Sequence, residues 1–397
     1  METNLSVRRA DELIRSRATL LPSEAVPLRE ARGRILREAA CADDDSPRFD
    51  CSAMDGYALR RQDAGEHLQI IGEIQAGTDA ALTIGCGQCA RIFTGARVPE
   101  GADYVAMQED VEAADDQIRL TDVGDESNIR HRGENCRRGE VIVPAGAELR
   151  AAEIAALASC GVTQPIVTRR ARLIHLATGD ELIDPAQTPR GTQLRDSNSE
   201  LVASFLDACG AELIRQERLS DSLEKSKVVA DSLGDDFDVL LVSGGASVGA
   251  YDFARPMLEH AGFVIEFQNV NLRPGKPLAL FSRGQRLAFA LPGNPVSHWV
   301  ILNLFIAPLL AAMSGAGVTD PRLVGVLTED APQKANRRET QVPAVATIKA
   351  GEFRLRPRPF VSSGDVASVA GANALLEVPA GSTGFRAGEQ VSFLFCK

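Results

Sequence analysis

Between residues 178 and 295, four polar, glycine-rich turns each follow an apolar run. The chemistry of these turns suits a negatively charged ligand. Glycines let backbone N–H groups approach an anion, helix N-termini contribute positive dipole ends, and Lys276 adds a full charge. The four turns are Thr178-Gly179-Asp180-Glu181, Ser243-Gly244-Gly245-Ala246-Ser247-Val248-Gly249, Pro274-Gly275-Lys276-Pro277 and Leu291-Pro292-Gly293-Asn294-Pro295. The hydroxyls of Ser243 and Ser247 could donate to an oxyanion. Together the turns predict a phosphate-bearing small-molecule ligand.

Acidic side chains accompany the same turns. Asp180 and Glu181 follow the apolar run 171–176, and Asp252 follows the second glycine-rich turn. Asp221 begins the next predicted helix. Because turns at the carboxyl ends of strands in an open α/β sheet converge on one crevice, these carboxylates are predicted to face the ligand. Helix capping is the alternative interpretation of Asp180 and Asp221, since aspartate is a common N-cap residue.

The elements that must position these turns alternate between strand and helix. Strands are predicted at 172–176, 212–216, 238–242, 263–267, 278–281 and 287–291, with helices at 198–209, 222–233 and 253–261 and a long helix after Pro295. Such alternation predicts a mostly parallel sheet with right-handed crossovers.

The remaining segments predict smaller domains. Residues 6–40 indicate two helical stretches, the second from Leu28 to Ala40, and residues 151–160 indicate an alanine-rich helix that ends at Gly161. Short strands separated by Gly, Asp and Pro turns dominate 51–143 and again 321–397. Two further β-rich domains are therefore expected.

Size and charge narrow the class of protein. The 397 residues are too many for one core, and the net charge of −11 disfavours nucleic acid and anionic membranes as partners. The polar N-terminus has no signal-peptide pattern, and the apolar stretch 298–313 is expected to be a buried helix rather than a membrane span. These features predict a cytoplasmic protein.

The cysteines and histidines form no recognisable reactive pattern. Eight cysteines are scattered along the chain, and Cys86-Gly87-Gln88-Cys89 has no second pair at zinc-finger spacing. Structural thiols in a reducing compartment are the favoured interpretation, with metal or redox chemistry as the alternative. Trp299 and the five histidines are interpreted as structural residues, because no metal-ligand or triad spacing occurs among them.

Seven motifs, in a fixed order, make the chain resemble the MoeA/gephyrin-E family of molybdopterin molybdenumtransferases over nearly its whole length. They are 52–58 (SAMDGYA), 93–96 (FTGA), 98–103 (VPEGAD), 107–109 (MQE), 178–182 (TGDEL), 244–252 (GGASVGAYD) and 291–297 (LPGNPVS). The resemblance implies hydrolysis of adenylylated molybdopterin and insertion of molybdate into its dithiolene, with Mg²⁺ assisting the cleavage. Molybdopterin adenylyltransferase and molybdoenzyme-maturation proteins are the possible partners that it implies.

The resemblance also implies an α/β multidomain fold and an elongated homodimer whose active site lies in a cleft shared by two subunits. The expected domains are a central, mostly parallel, MogA-like α/β domain (1–22 plus 171–318), a helical, elongated linking and dimerisation domain (23–45 plus 140–170), a β-rich domain (46–139) and a C-terminal β domain (319–397).

Site residues are implied where this sequence matches the family's motifs. Catalytic roles fall on Asp55, Thr94, Glu181, Asp221 and Asp252, and metal binding on Asp55, Glu181 and Asp252. Substrate binding falls on Asp180, Ser243, Gly244, Gly245, Ser247, Arg273, Lys276, Pro292, Gly293, Asn294, Pro295, Ser362 and Ser363. Structural alternatives stay open for three of them: an Asx turn for Asp55, strand-end capping for Thr94 and a solvated surface lysine for Lys276.

Four positions depart from the family's pattern. Asn135 stands where aspartate is usual, Asn269 and Arg273 stand where lysine is typical, and Cys51 replaces an asparagine that often precedes the Ser-Ala-Met-Asp-Gly motif. Asparagine keeps the shape of aspartate but cannot carry charge or act as a base. An active molybdenumtransferase is the favoured hypothesis. A diverged paralogue that binds molybdopterin or a partner protein without catalysis is the alternative, and a transferase for a related nucleotide-linked ligand is a third.

Overall fold

The computed structural model describes residues 2–78, 81–244, 253–317, 322–358 and 360–397. The chain divides into two compact units. The first unit comprises Met1–Glu24, Gly33–Ile35 and Val167–Lys397, and the second comprises Ala25–Arg32 and Leu36–Ile166. In chain order the second unit is thus an insertion into the first. The four-domain boundaries expected from the sequence stay a prediction.

A seven-stranded sheet forms the centre of the first unit. In spatial order its strands are Glu2–Leu5, Val264–Val270, Ala279–Arg283, Arg286–Leu291, Val239–Ser243, Arg172–Thr178 and Glu212–Leu219. The predicted strand and helix alternation is confirmed, and most pairings are parallel. Ala279–Arg283 is the exception, because a tight turn at Gly284 (φ +61°) folds it back antiparallel to its successor. The edge strand Glu2–Leu5 escaped prediction because it is mostly polar and exposed.

Helices cover both faces of this sheet. They span Val7–Ser16, Ser197–Ala208, Leu223–Asp231, Ala254–His260 and Pro295–Ile301, the last continuing through a π-helical segment, Leu302–Ile306, into Ala307–Ser314. Three begin at side-chain caps, in which Ser6, Asp196 and Ser222 accept backbone N–H groups from the first turn. Local sequence therefore fixes where these helices start.

The continuous helix Pro295–Ser314 is the one helix among the described residues that is long and apolar enough to cross a membrane. Its most apolar window is 78% buried within the protein, however. Trp299, Phe305 and Leu309 are among its residues that pack into the main core of the first unit. The expectation of a buried core helix is thus confirmed.

The C-terminal part of the first unit is a second, six-stranded sheet. Its strands are Leu272–Arg273, Glu339–Lys349, Glu352–Pro357, Arg322–Leu327, Gln390–Phe395 and Ala374–Val378. Leu272 pairs in parallel with Glu339, and Arg273 with Thr340. Since Leu272–Arg273 directly follows a strand of the central sheet, this pairing fastens the C-terminal sheet beside the predicted ligand turns.

The second unit contains a six-stranded sheet in the order Tyr104–Met107, Gly56–Leu59, Gln88–Ile92, Leu68–Ile74, Gln117–Leu120 and Val111–Ala114. The alanine-rich helix Ala151–Ser159 ends as predicted, with Gly161 at φ +75° two residues later. The predicted helix from Leu28 to Ala40 is wrong: only Leu28–Ala31 is helical, and Gly33 turns the chain at φ +75°.

Short elements complete the structure. The strands are Ser23–Ala25, Ala40–Cys41, Cys51–Ser52, Ile129–Arg130, Val141–Val143, Ile166–Thr168, Leu182–Ile183, Leu194–Arg195, Ala331–Pro332 and Gly384–Phe385. Single 3₁₀ turns span Arg61–Asp63, Gln108–Asp110 and Val366–Ser368.

Candidate functional site

A cavity of about 410 Å³ in the first unit is formed by segments that are distant in the sequence. Its walls contain six residues that the sequence proposes as ligand contacts: Arg273, Lys276, Pro292, Asn294, Ser362 and Ser363. The structure adds Arg338, Ser297 and Phe360 to the same walls. The cavity therefore brings together the turn at 274–277, the turn at 292–295 and the serine-rich turn of the C-terminal sheet.

Backbone contacts explain why these segments meet. The parallel pairing of Leu272–Arg273 with Glu339–Thr340 brings Arg338 to the cavity. On the opposite side, the backbone N–H of Val296 donates to the carbonyl oxygen of Ser363 at 3.0 Å, which ties the serine-rich turn to the start of the core helix. The first N–H groups of a helix have no acceptor within the helix, so the serine-rich turn supplies one for Val296.

Charge distinguishes this cavity from its surroundings. Arg273, Lys276 and Arg338 all line it, and none of them forms an ion pair with a described carboxylate. The protein as a whole carries a net charge of −11, so these three cations form a focused positive site on an acidic protein. Arginine guanidinium groups and lysine ammonium groups are the side chains that best bind phosphate-like anions.

A larger cavity of about 650 Å³ in the same unit is lined by both acidic and basic residues. Its charged residues are largely paired with one another, as in Arg8 with Glu12 and Arg15 with Asp11. Paired charges neutralise each other and leave little field for a ligand. The smaller, cationic cavity is therefore the candidate ligand site.

The turn after Val239–Ser243 approaches the turn at 292–294 closely. Gly244 has φ +89°, and a Cβ there would lie 2.7 Å from the carbonyl oxygen of Thr178, so glycine is required. A Cβ on Gly293 would lie 3.9 Å from the Cα of Gly244. Gly244 thus adjoins the turn at 292–294, as the convergence of strand ends predicts.

The hydroxyl of Ser243 points into the protein rather than towards a ligand. Ser243 is 3% exposed, and its Oγ lies 2.7 Å from Nε2 of His175 and 2.7 Å from Nε2 of His298. Its donor and acceptor capacities are both used by the two imidazoles. Sequence reasoning missed this group because the three residues lie far apart along the chain and carry no motif.

Carboxylates cluster at the carboxyl ends of two neighbouring strands. Thr178 pairs with Leu219, which places Asp180 and Asp221 side by side. The N–H of Asp221 donates to Oδ1 of Asp180 at 3.1 Å, and the N–H of Asp180 lies 3.4 Å from Oδ2 of Asp221. Glu181 is exposed, and its carboxylate lies over Gly179. These three acidic residues form a local negative edge of the sheet.

The helix-cap alternative is wrong for both aspartates. The cap of the helix Leu223–Asp231 is Ser222, whose Oγ accepts from the N–H of Lys225. The strand Leu182–Ile183, and no helix, follows Asp180.

Asp55 and Thr94 lie together in the second unit. Oδ1 of Asp55 accepts two hydrogen bonds of 2.7 Å, one from the hydroxyl and one from the backbone N–H of Thr94. These bonds, first the one from the hydroxyl, hold the pKa of the Asp55 carboxyl below its usual range. Asp55 is exposed and ionised, so it can act as a base or bind a cation. This contact joins two motifs that the sequence separates.

Gly56 explains why the aspartate motif needs a glycine. A Cβ at Gly56 would overlap the carbonyl oxygen of Ala106 across the pairing with Tyr104–Met107. The close backbone approach thereby sets the position of Asp55 at the start of its strand.

Three proposed site residues, Gly245, Ser247 and Asp252, lie outside the described residues. Among the residues that the structure does describe, no three His, Cys, Asp or Glu side chains converge on one point as a metal-binding group. The cysteines of the Cys86–Cys89 pair are likewise free thiols, and burial raises the pKa of Cys89 to about 12.

The departures from the family's pattern have local structural settings. Asn269 lies at the end of Val264–Val270 with φ +68°, a conformation that asparagine adopts more readily than lysine. Asn135 is exposed in the second unit, and Nδ2 lies 3.5 Å from Oγ of Ser46. Cys51 is buried, which raises the pKa of its thiol.

Comparison with known proteins matches almost the whole chain to protein families. Residues 5–161 match the MoeA N-terminal region (domains I and II), residues 174–312 match a probable molybdopterin binding domain, and residues 324–396 match the MoeA C-terminal region (domain IV). The molybdopterin molybdenumtransferase of Nostoc sp. is 34% identical over 390 residues, which cover 94% of this chain and 88% of that protein. The molybdopterin molybdenumtransferase of Staphylococcus epidermidis is 29% identical over 400 residues, covering 99% and 96%. The chain belongs to the MoeA family of molybdopterin biosynthesis proteins.

Solved structures agree with this assignment. A crystal structure of the molybdopterin biosynthesis moeA protein from Pyrococcus horikoshii OT3 is 29% identical, with a TM-score of 0.80, covering 99% of this chain and 100% of that one. A second structure of the Pyrococcus moeA protein is 26% identical, with a TM-score of 0.82 and 99% of each chain covered. The α/β multidomain fold expected from the sequence is confirmed.

Proposed function

We propose that this protein is a molybdopterin molybdenumtransferase, which hydrolyses adenylylated molybdopterin and inserts molybdate into the dithiolene. The observation that carries the proposal is the cavity in which Arg273, Lys276 and Arg338 face one space without an acidic partner among the described residues. Both the substrate's phosphates and molybdate are oxyanions, and such a cavity suits either. The comparisons give no support to the alternative of a non-catalytic paralogue.

The chain's own residues divide the work by charge. The three cations and the hydroxyls of Ser297, Ser362 and Ser363 would hold an oxyanion and offset charge that develops on it. Asp55, kept ionised by Thr94, would accept a proton from the attacking water or orient a cation. Asp180, Glu181 and Asp221 would attract a cation to the edge of the sheet.

The donor chemistry fits Mg²⁺. This ion prefers oxygen ligands and is commonly bound through one or two carboxylates together with substrate phosphates and water. Carboxylates follow neighbouring strand ends at Asp180, Glu181 and Asp221, and the proposed metal set is Asp55, Glu181 and Asp252. When bound, Mg²⁺ would polarise the phosphate of the adenylate.

The assembly and setting are also proposals. We infer a cytoplasmic homodimer with a cleft shared by its two subunits. Its transient partners would be the molybdopterin adenylyltransferase that supplies the substrate and molybdoenzyme-maturation proteins that take the product. Nucleic acid and membranes are disfavoured because the net charge is −11.

Complementation tests the proposed function. The gene is expressed in a strain that lacks its own molybdenumtransferase, and molybdoenzyme activity is measured at low and at high molybdate. Rescue at low molybdate is expected. Failure of a soluble, dimeric protein to rescue at either concentration would contradict the proposal.

Arg338→Gln is expected to weaken molybdate binding by roughly 10- to 100-fold, because a hydrogen bond to a charged group typically contributes about 1.5–3 kcal/mol. Isothermal titration calorimetry with molybdate at two salt concentrations measures the change. Arg337→Gln is the matched control, since Arg337 is the adjacent arginine but is exposed and does not line the cavity. Equal loss of affinity in both variants would exclude a specific role for Arg338.

The double replacement Asn135→Asp with Asn269→Lys is expected to raise turnover, because it restores the charges typical of the family. Lysine at 269 must adopt φ +68°, so this change should also lower the free energy of unfolding by roughly 1 kcal/mol. Turnover and thermal unfolding of the two single variants and the double variant measure both effects. Unchanged turnover would identify the two asparagines as tolerated variation.

A further inference from the structure

Four buried or half-buried polar side chains form a continuous chain of hydrogen bonds beneath the cationic cavity. Its first link is the amide Nε2 of Gln216, which donates to the carbonyl oxygen of Ser199 and also lies 3.0 Å from Nδ1 of His175. A carbonyl can only accept, so the amide nitrogen of Gln216 is correctly oriented as a donor. Nδ1 of His175 must therefore accept, and the ring proton of His175 is on Nε2.

The other end of the chain is fixed in the same way. Nδ1 of His298 lies 3.3 Å from the carbonyl oxygen of Asn294, which can only accept. Hence Nδ1 of His298 carries the proton and Nε2 carries the lone pair. Ser243, which lies between the two rings, then accepts from His175 and donates to His298. All the bonds run in one direction, from Gln216 to Asn294.

This series of hydrogen bonds requires both histidines to be neutral, since each ring must keep one nitrogen lone pair as an acceptor. Both are 0% exposed. Burial lowers the pKa of His298 to about 4 and, with a smaller effect of His298, the pKa of His175 to about 3. At neutral pH only one arrangement of protons therefore satisfies all four hydrogen bonds of the series.

The last bond acts on the turn that lines the cavity. The carbonyl of Asn294 accepts from the backbone N–H of His298 at 3.1 Å, and Nδ1 of His298 adds a second bond to it at 3.3 Å. The neighbouring carbonyl of Gly293 accepts from Nδ2 of Asn198 at 2.7 Å. The N–H of Gly244, next to Ser243, donates to the carbonyl oxygen of Leu291 at 3.1 Å. Hydrogen bonds to neighbouring residues thus hold Gly244 and the turn at 292–294, and Asn294 of that turn lines the cavity.

We propose that His298, oriented through Ser243 by His175, is a positioning residue that holds the turn 292–294 in the shape that binds the oxyanion. The proposal rests on the proposed function of the cavity as an anion site. Neither histidine contacts the ligand, because both lie beneath the turn in the interior of the first unit. The role depends on geometry, namely on an N–H at the position of Nδ1 of His298.

Three variants of His298 separate this role from simple filling of space. Asparagine places an amide N–H near the position of Nδ1 and can keep the bond to Asn294. Glutamine places its amide near Nε2, keeps contact with Ser243 and loses the side-chain bond to the turn, and alanine loses both side-chain bonds. The backbone bond from residue 298 to Asn294 stays in every variant, so the three variants differ only in the side-chain bonds. Molybdate binding to the full-length protein, measured by calorimetry, is expected to weaken roughly tenfold in His298→Ala and His298→Gln, and to recover in His298→Asn.

His260→Gln is the control, because His260 is an exposed histidine of the same unit. Native affinity in His298→Ala, or recovery with glutamine rather than asparagine, would overturn the proposal. Failure of the native protein to bind molybdate would instead count against the proposed function.

A spectroscopic measurement tests the proton arrangement without any ligand. In ¹⁵N-histidine NMR spectra, His175 is expected as the Nε2–H tautomer and His298 as the Nδ1–H tautomer. Assignment comes from the single variants His175→Gln and His298→Asn. The same tautomer at both positions would overturn the proposal even if every variant binds molybdate as expected.

Discussion

Asp55→Asn is expected to lower turnover by about 100-fold or more while leaving the melting temperature unchanged. The asparagine Oδ1 can still accept both hydrogen bonds from Thr94, so the local fold is kept and only the charge is lost. Loss of a positioned acid or base costs typically 10²–10⁴-fold in rate. Single-turnover hydrolysis of adenylylated molybdopterin, together with thermal unfolding, measures the two quantities separately.

Asp103→Asn is the matched control for this prediction. Asp103 is an exposed aspartate of the same unit, and its Oδ1 also accepts a backbone N–H, that of Arg61, at 2.7 Å. Its replacement should change neither turnover nor stability. If Asp55→Asn loses activity and thermal stability in parallel, Asp55 supports the fold and is not catalytic.

Acidification is expected to destabilise the first unit because of His175 and His298. The pKa values of both fall below the ordinary 6.5 on folding, to about 3 and about 4, so the unfolded chain binds protons more readily. The stabilisation is fully present above pH 6.5 and is lost as the pH falls towards 4. Each histidine contributes up to about 1.4 kcal/mol per pH unit to this loss in the free energy of unfolding.

The single tryptophan makes the effect measurable in the presence of a second unit. Trp299 is 5% exposed and adjoins His298, so its fluorescence reports denaturant unfolding of the first unit alone. The double variant His175→Gln with His298→Gln should have a flatter dependence on pH between 6.5 and 4. His67→Gln, at an exposed histidine, should follow the native curve. A native curve that is flat over this range would show that the buried rings are not neutral.

Local pattern predicted most of the fold, because alternating apolar runs and capping residues act over short distances. The helix expected from Leu28 to Ala40 failed where Gly33 interrupts it, and the polar strand Glu2–Leu5 is visible only through its partner Val264–Val270. The spacing of apolar residues predicted neither the interruption of the helix nor this strand. The turn at Gly33 follows from the conformational freedom of glycine, whereas the strand Glu2–Leu5 depends on a tertiary pairing.

In the candidate site, too, some residues were predicted from the sequence and others were not. Lys276 and Asn294 belong to glycine-rich turns and were predicted, whereas Arg338 lies in no motif and reaches the cavity only through the pairing of Arg273 with Thr340. His298 was interpreted as structural, since its bond to Ser243 has no local signal. Sequence motifs therefore identify the groups that line the candidate cavity more readily than the groups that hold them in place.

The pairing of Glu2–Leu5 with Val264–Val270 sets an order of events during synthesis. The first strand leaves the ribosome early, but its neighbour follows only after the whole second unit has been made. At translation rates of about 5–20 residues per second, the first strand lacks its partner for on the order of tens of seconds. The inserted unit has all of its own residues during that interval and can fold first, while the central sheet, with its high contact order, closes last.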